Sequence, residues 1–331
     1  MTRLNHQPLV WARENLLPLI TSGEINKSEA ARRLAAQFGI DKEEARSKVR
    51  YMTGARGGLE RHNADVDLRS TIEDGLAKIR KEEKRKLQKV QLLNCKALIL
   101  SDIHFPHQNT EALTLALNAG VEAGCDTVIL NGDIVDFYRI SRWAINPNGM
   151  RIEEEILCLI QFFQLLRKLF PTAPIYYVLG NHEVRFERYI IQNAGELLNL
   201  PELSFTKLIK ADEYGVTVLS NDPIKLGKLN VMHGHEFGES FFSPVNPARG
   251  LFLRAKASTI VGHYHQPSEH TESNINGDQT ACYSTGCLCE LNPDYRPFAY
   301  TKWMHGFAIV EVDAQGGFTV SNKKIVNGSI R

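Results

Sequence analysis

Five short apolar runs in this chain each end on Asp, Asn or His, and those endings are where its chemistry is concentrated. Residues 97–100 (ALIL) are followed by Ser101-Asp102-Ile103-His104. Residues 127–130 (TVIL) lead into Asn131-Gly132-Asp133-Ile134-Val135-Asp136. Residues 175–179 (IYYVL) lead into Gly180-Asn181-His182-Glu183. Residues 229–232 (LNVM) precede His233-Gly234-His235, and residues 258–261 (STIV) precede Gly262-His263-Tyr264-His265. Imidazole nitrogens and carboxylate oxygens suit a borderline-to-hard divalent cation. No cysteine stands in these endings, which argues against a structural zinc or iron–sulfur site. Singly, each motif has an ordinary explanation: a strand-end Asp caps a helix, and Gly-Asp makes a turn. His is only 11 of 331 residues, so five such endings in order point to one metal-binding site.

The runs have the length and composition of strands. Between the second and third, residues 151–169 read as a helix. Glu153, Glu154 and Glu155 stand at its start and Arg167 and Lys168 at its end, the order that complements the helix dipole, and Pro171 stops it. Strands alternating with helices predict an α/β domain, in which ligands collect at the carboxyl ends of strands.

The series Asp102-x-His104, Gly132-Asp133-x-x-Asp136, Gly180-Asn181-His182-Glu183, His233-Gly234 and Gly262-His263-x-His265 resembles the calcineurin-like metallophosphoesterases. The resemblance covers roughly residues 93–331, and the text around the motifs (NGDIVDFYRISRW, GNHEVRFERY, STGCLCELNPDY) looks most like phage-type members. It implies a four-layer α/β/β/α sandwich and two divalent metal ions, manganese first, with iron, zinc or nickel as alternatives. By motif, Asp102, His104 and His265 would hold one ion, Asn181, His233 and His263 the other, and Asp133 would bridge them. A hydroxide bridging the ions would attack phosphorus. His182 would be catalytic without binding metal, assisting the leaving group, and Asp136 would pair with it.

Other residues stand near these motifs. His235 reads as a substrate contact. Arg185 and Arg188 are three apart after the Gly-Asn-His-Glu turn, and an arginine fork suits a phosphate. Cys287 and Cys289, two apart in an apparent strand, read as ordinary packing. Two features depart from well-known branches of the family. Phe137-Tyr138 replaces the Arg-Gly of the phosphoprotein phosphatases, which counts against phosphoprotein substrates. Pro106 stands where repair nucleases often carry Gly.

Composition sets the frame. The chain has 43 % hydrophobic and 23 % charged residues, which excludes extensive disorder. Its most apolar stretch, residues 156–170, is interrupted by Gln161, Gln164, Arg167 and Lys168, so no membrane span is expected. No secretory signal is recognisable, and six cysteines in this length do not make a disulfide scaffold, so a cytoplasmic location is expected. Residues 1–90 hold 19 Lys and Arg against 13 Asp and Glu, and the remainder 20 against 25. Residues 1–56 read as a small all-α domain resembling helix-turn-helix units. Asn26 and Asp41 cap two helices joined at Gly39, and an earlier helix spans about residues 9–20. Lys42, Arg46, Lys48 and Arg50 on the second capped helix are the candidate nucleic-acid contacts. Residues 57–92 read as a charged helical linker and 93–331 as the catalytic domain.

Three functions follow. The first is a nuclease whose N-terminal unit binds nucleic acid. The second is a phosphodiesterase or phosphatase for a small phosphoester such as a cyclic nucleotide, with that unit serving oligomerisation or recruitment. The third is a catalytically silent DNA-binding adaptor, disfavoured because every expected ligand is present.

Overall fold

The computed structural model describes residues 7–54, 72–74, 76–77, 90–141, 149–219, 223–238, 245–293 and 300–331. The chain divides into two compact units, Met1–Arg85 and Lys86–Arg331.

Among the described residues, the first unit includes the helices α1 (Gln7–Asn15), α2 (Leu17–Thr21), α3 (Lys27–Phe38) and α4 (Lys42–Met52). The single helix expected over residues 9–20 is two, because Pro18 enters within the first turn of α2 and cannot continue the bonding ladder of α1. Asn26 caps α3 by accepting the Glu29 N–H at 2.9 Å, and Asp41 caps α4 by accepting those of Glu43 and Glu44. Gly39 closes α3 at φ 62°, a left-handed conformation that costs glycine little. Ala12, Leu16, Ala30, Ala31, Leu34, Ala45, Val49 and Met52 form the core of this unit.

The second unit is built on two sheets. One holds β2 (Cys95–Leu100), β3 (Thr127–Asn131), β4 (Ile175–Val178) and β5 (Val216–Leu219) in parallel, extended by β11 (His305–Val312), β12 (Phe318–Val326) and β13 (Ser329–Ile330). The other runs β1 (Val90–Leu92), β6 (Ile224–Leu226), β7 (Leu229–Val231), β8 (Thr259–Val261), β10 (Gln279–Ser284), β9 (Ser268–Ser273). All five expected strands are present: three adjacent and parallel in the first sheet, two adjacent and parallel in the second. β1 corrects the linker reading. Val90 and Leu92 pack into the core while Gln91 is exposed, a period of two, so the catalytic sheet begins there and not at residue 93. The rest of the expected linker helix lies mostly outside the described residues.

Side-chain alternation sets the layers. Ala97, Ile99, Ile129 and Val178 of the first sheet meet Ile224, Leu226, Leu229, Val231 and Ile260 of the second. The intervening Leu98, Leu100, Val128, Leu130 and Tyr177 face the other way, onto α5 (Thr110–Glu122) and α6 (Ile152–Leu169). The remaining helices are α7 (Glu183–Ala194), α8 (Phe205–Leu208) and α9 (Pro247–Ala255). Ala248 and Leu251 of α9 cover the outer face of the second sheet against Val261 and Cys282. The order is therefore α/β/β/α, as expected. Among the described residues no helix is long and apolar enough to cross a membrane.

Ile99 is fully buried between the sheets. Ile99→Ala should lower the free energy of unfolding by about 2–5 kcal/mol in urea titrations. A loss below about 1 kcal/mol would contradict a close-packed layer there.

Candidate metal centre

The parallel strands deliver their motifs to one edge of the sandwich, and the backbone there is unusual. Asp102, His104, Asp133, His263 and His265 have φ of 56°, 53°, 52°, 63° and 57°. Side-chain-bearing residues disfavour this left-handed region by about 1–2 kcal/mol each, so the surrounding structure must impose it. Two glycines let the loops after β3 and β4 touch. A Cβ on Gly180 would come within 2.5 Å of the Asp133 nitrogen, and one on Gly132 within 2.9 Å of the Gly180 Cα.

At Asp133 the side chain that holds the loop is Glu183, at the start of α7 and 2 % exposed. Its Oε2 accepts the N–H groups of Gly180 (2.7 Å) and Asp133 (3.0 Å). Its Oε1 accepts those of Ile134 (2.8 Å) and Val135 (3.3 Å), and the Tyr177 hydroxyl at 2.7 Å. A second buried carboxyl, Glu155 of α6, accepts the Phe137 N–H at 2.6 Å, and burial pushes its pKa up to about 8. Sequence reading took Glu155 for a first-turn charge that complements the helix dipole. The packing of α6 under the loop after β3 puts it inside instead. The roles of both glutamates were missed, though Glu183 stands within a motif already singled out.

The expected ligands converge. His104 Nε2 and His265 Nε2 face each other at 3.3 Å, and His265 Nε2 is 3.1 Å from Asp102 Oδ1. Ring nitrogens and a carboxylate so placed suit a shared divalent cation. Asp133 Oδ2 lies 3.2 Å from His233 Nε2 and 3.9 Å from His104 Nε2, so one carboxylate oxygen faces both halves. The donor atoms of Asp133, His233 and His263 lie within 4.8 Å of one another. Asn181 Oδ1 is buried and has no hydrogen-bond partner. Tautomers are set from behind: His233 Nδ1 bonds the Asn131 carbonyl at 2.7 Å, and His104 Nδ1 bonds Asp136 Oδ1 at 3.1 Å. Each arrangement leaves the Nε2 lone pair directed inward.

The electrostatics match. Burial alone would push His233 down, but the carboxylates of Asp133 and Asp102 outweigh it and hold the ring up at about 10. Burial alone would raise Asp102, but His265 and His233 hold it at about 2. This donor set is suited to positive charge and could bind divalent metal.

His182 lies against this cluster: its Nε2 is 3.7 Å from Asp133 Oδ2, and one of its ring nitrogens lies within 4.8 Å of donor atoms of His104 and Asp133. Its Nδ1 lies 2.8 Å from Asp136 Oδ1, as expected, and equally near the Asp136 carbonyl. Its Nε2 accepts from Arg185 Nη2 at 2.8 Å, and Arg185 Nη1 donates to the Asp136 carbonyl at 2.9 Å. Asp136 thus serves two histidines, His182 and the ligand His104, and only the first was anticipated. Burial opposes its ionisation, but the hydrogen bonds from both rings hold it well below the usual carboxylate range. Arg185 is part of the site. Arg188, one turn on, is exposed, and no described contact ties it to the cluster. The His235 ring lies 5.5 Å from that of His233, beside the second half of the centre. Cys289, read as packing, has its sulfur grouped with the donor nitrogens of His104 and His265.

Glu183→Gln replaces one acceptor oxygen with a donor against buried N–H groups. Each unsatisfied group costs about 1–3 kcal/mol, so the variant should lose at least about 3 kcal/mol of stability. A change within about 0.5 kcal/mol of wild type would refute the clamp. Asp136→Asn should weaken metal affinity and turnover, each by about 10–100-fold. Unchanged affinity in calorimetric titration would show that Asp136 does not orient His104.

Comparison with known proteins places this geometry. The gene 54 protein of Mycobacterium phage L5 is 27 % identical over 230 residues, 66 % of this chain and 89 % of that protein. The gene 54 protein of Mycobacterium phage D29 is 26 % identical over 228 residues, 65 % and 88 % of the two chains. Among solved structures, a Vps29 single mutant from Entamoeba histolytica is 17 % identical, covering 71 % of this chain and 96 % of its own, at a TM-score of 0.36. Yfce, a phosphoesterase from E. coli, is 17 % identical, covering 68 % and 98 %, at a TM-score of 0.32. The family model of calcineurin-like phosphoesterases matches residues 95–295, a span that contains all seven expected ligands together with His182 and Asp136. By that match and by the converging donors at its strand ends, this chain belongs to the calcineurin-like phosphoesterase family.

Proposed function

We propose that this chain is a two-metal phosphodiesterase acting on nucleic acid. The observation that carries the chemistry is Asp133, whose carboxylate stands between two sets of nitrogen and oxygen donors. Two divalent ions held there would activate water and neutralise the phosphoryl oxygens. Asp102, His104 and His265 hold one ion, Asn181, His233 and His263 the other. Asp136 fixes His182 with its Nδ1 turned away from the cluster, so Nε2 is the atom available to the leaving-group oxygen. Arg185, now donating to that Nε2, can turn its guanidinium to a non-reacting phosphate oxygen. Manganese suits the oxygen and nitrogen donors, with iron, zinc or nickel as alternatives.

The basic N-terminal unit supports a polynucleotide substrate, with Lys42, Arg46, Lys48 and Arg50 of α4 as its contacts. One observation favours a small phosphoester as the second reading. Arg46 and Arg50 pair with Glu43 at 3.6 and 2.8 Å, and Lys48 pairs with Glu44 at 3.4 Å. The exposed pairs of Arg46 and Arg50 contribute only about 0–1 kcal/mol, so a phosphate backbone can displace them, whereas the Lys48 side chain is only 12 % exposed. In a small-ester enzyme they would simply balance the helix surface, and the unit would serve recruitment or self-association.

The test is a manganese-supplemented assay on end-labelled DNA and RNA beside bis-p-nitrophenyl phosphate. Wild type should cleave a polynucleotide and Asp133→Ala should not. His182→Ala should keep its metal and lose about 10²–10⁴ in kcat. A full-length variant with Lys42, Arg46 and Arg50 changed to Ala should bind DNA with a shallower salt dependence. Hydrolysis of the small diester with polynucleotides left intact would favour the second reading.

A further inference from the structure

Cys287 and Cys289 are both buried, in an extended segment fastened to the metal loops. Between them the Leu288 N–H donates to the Asp102 carbonyl at 3.0 Å, and His305 Nε2 bonds the Cys289 carbonyl at 2.9 Å. Spacing of two in extended chain puts both thiols on one side, and the Cys287 side chain lies against Cys289 and His265. The Cys289 sulfur and the donor nitrogens of His104 and His265 all lie within 4.8 Å of one another. Atoms bonded to a common ion at about 2.0–2.3 Å are separated by no more than about 4.6 Å, so the three stand near the spacing of one coordination sphere. A second observation points the same way. His265 is 5 % exposed, its Nδ1 has no hydrogen-bond partner, and Trp303 covers its ring edge-on at 4.3 Å. Cys289 itself is 2 % exposed, so its sulfur is shielded from solvent beside His265.

We propose that Cys289 is a fifth protein ligand, beside Asp102, His104, His265 and Asp133, for the first of the two ions. This rests on reading the cluster as a two-metal centre. On binding, the thiol proton leaves to solvent and a sulfur lone pair forms the bond to the metal, with no change of oxidation state. Thiolate is a soft donor that favours zinc or iron(II) over manganese or magnesium. The other half, built from Asp133, Asn181, His233 and His263, offers only nitrogen and oxygen. The two halves thus differ in preference, and a mixed-metal centre is the expected resting composition.

The experiment uses full-length wild type, Cys289→Ser and Cys287→Ser, freed of metal and titrated with cobalt(II). Wild type and Cys287→Ser should develop a sulfur-to-cobalt charge-transfer band in the near ultraviolet. Cys289→Ser should bind cobalt without it. In dialysis against equal zinc and manganese, Cys289→Ser should lose roughly ten-fold or more of the zinc preference, read as metal content. Two cobalt ions bound to wild type with no such band would overturn the proposal, as would a band that survives in Cys289→Ser. The wild-type spectrum decides even if the serine variant folds poorly. Wild type that binds no cobalt would fail the metal-centre reading itself, and this inference with it.

Discussion

Glu183 is the interaction on which the site depends. Its carboxylate gathers four backbone N–H groups, one from the loop after β4 and three from the loop after β3, and a tyrosine hydroxyl from β4. Buried N–H groups must be paired, and a charged acceptor satisfies several at once. Without it, neither loop has a reason to hold the curved path that turns Asp133 toward the metal donors. The same turn carries Asn181 and His182, the residues proposed to hold metal and to assist the leaving group, so the loop anchor and both proposed roles fall on three consecutive residues.

A layer of partners behind the ligands does the orienting. The Asn131 carbonyl holds His233, and the Asp136 carboxylate holds both His104 and His182. The Ser101 hydroxyl donates to Asp102 at 2.6 Å. Because His104 and His233 are bonded on their outer nitrogens, their inner nitrogens are the ones left to face a metal ion. The sandwich makes this affordable in geometric terms: two sheets bring strands from distant parts of the chain to end at the same edge, so donors 163 residues apart, such as Asp102 and His265, meet at 3.1 Å.

The ligands were legible in sequence because each sits immediately after its strand, so that strand pattern and donor type are read in one short window. The strands themselves were legible where both faces are buried, as in Ala97–Leu100. The edge strand β9 and its counterpart β12 in the other sheet, next to the edge, were not, because Ser268–Ser273 and Phe318–Val326 are largely polar and show no apolar run. α5 escaped for the opposite reason: Ala112, Leu113, Leu115, Ala116, Leu117 and Ala119 surround so much of the helix that its stripe is blurred. The work of Glu183 was hidden because three of its partners lie 48–50 residues away. Cys289 was hidden likewise, since nothing in a Cys-Leu-Cys run reveals which thiol faces His104.

The left-handed backbone at Asp102, His104, Asp133, His263 and His265 has a consequence for how this protein lives in its surroundings. The unfolded chain has none of that strain, so the metal-free fold carries a local energetic load that bound ions help to offset. Stability then becomes a function of free divalent metal, by mass action. Where such ions are scarce, the loops at the strand ends lose that offset and open more readily than in the metal-bound protein. The abundance of the enzyme, as well as its activity, would follow the metal supply of its host.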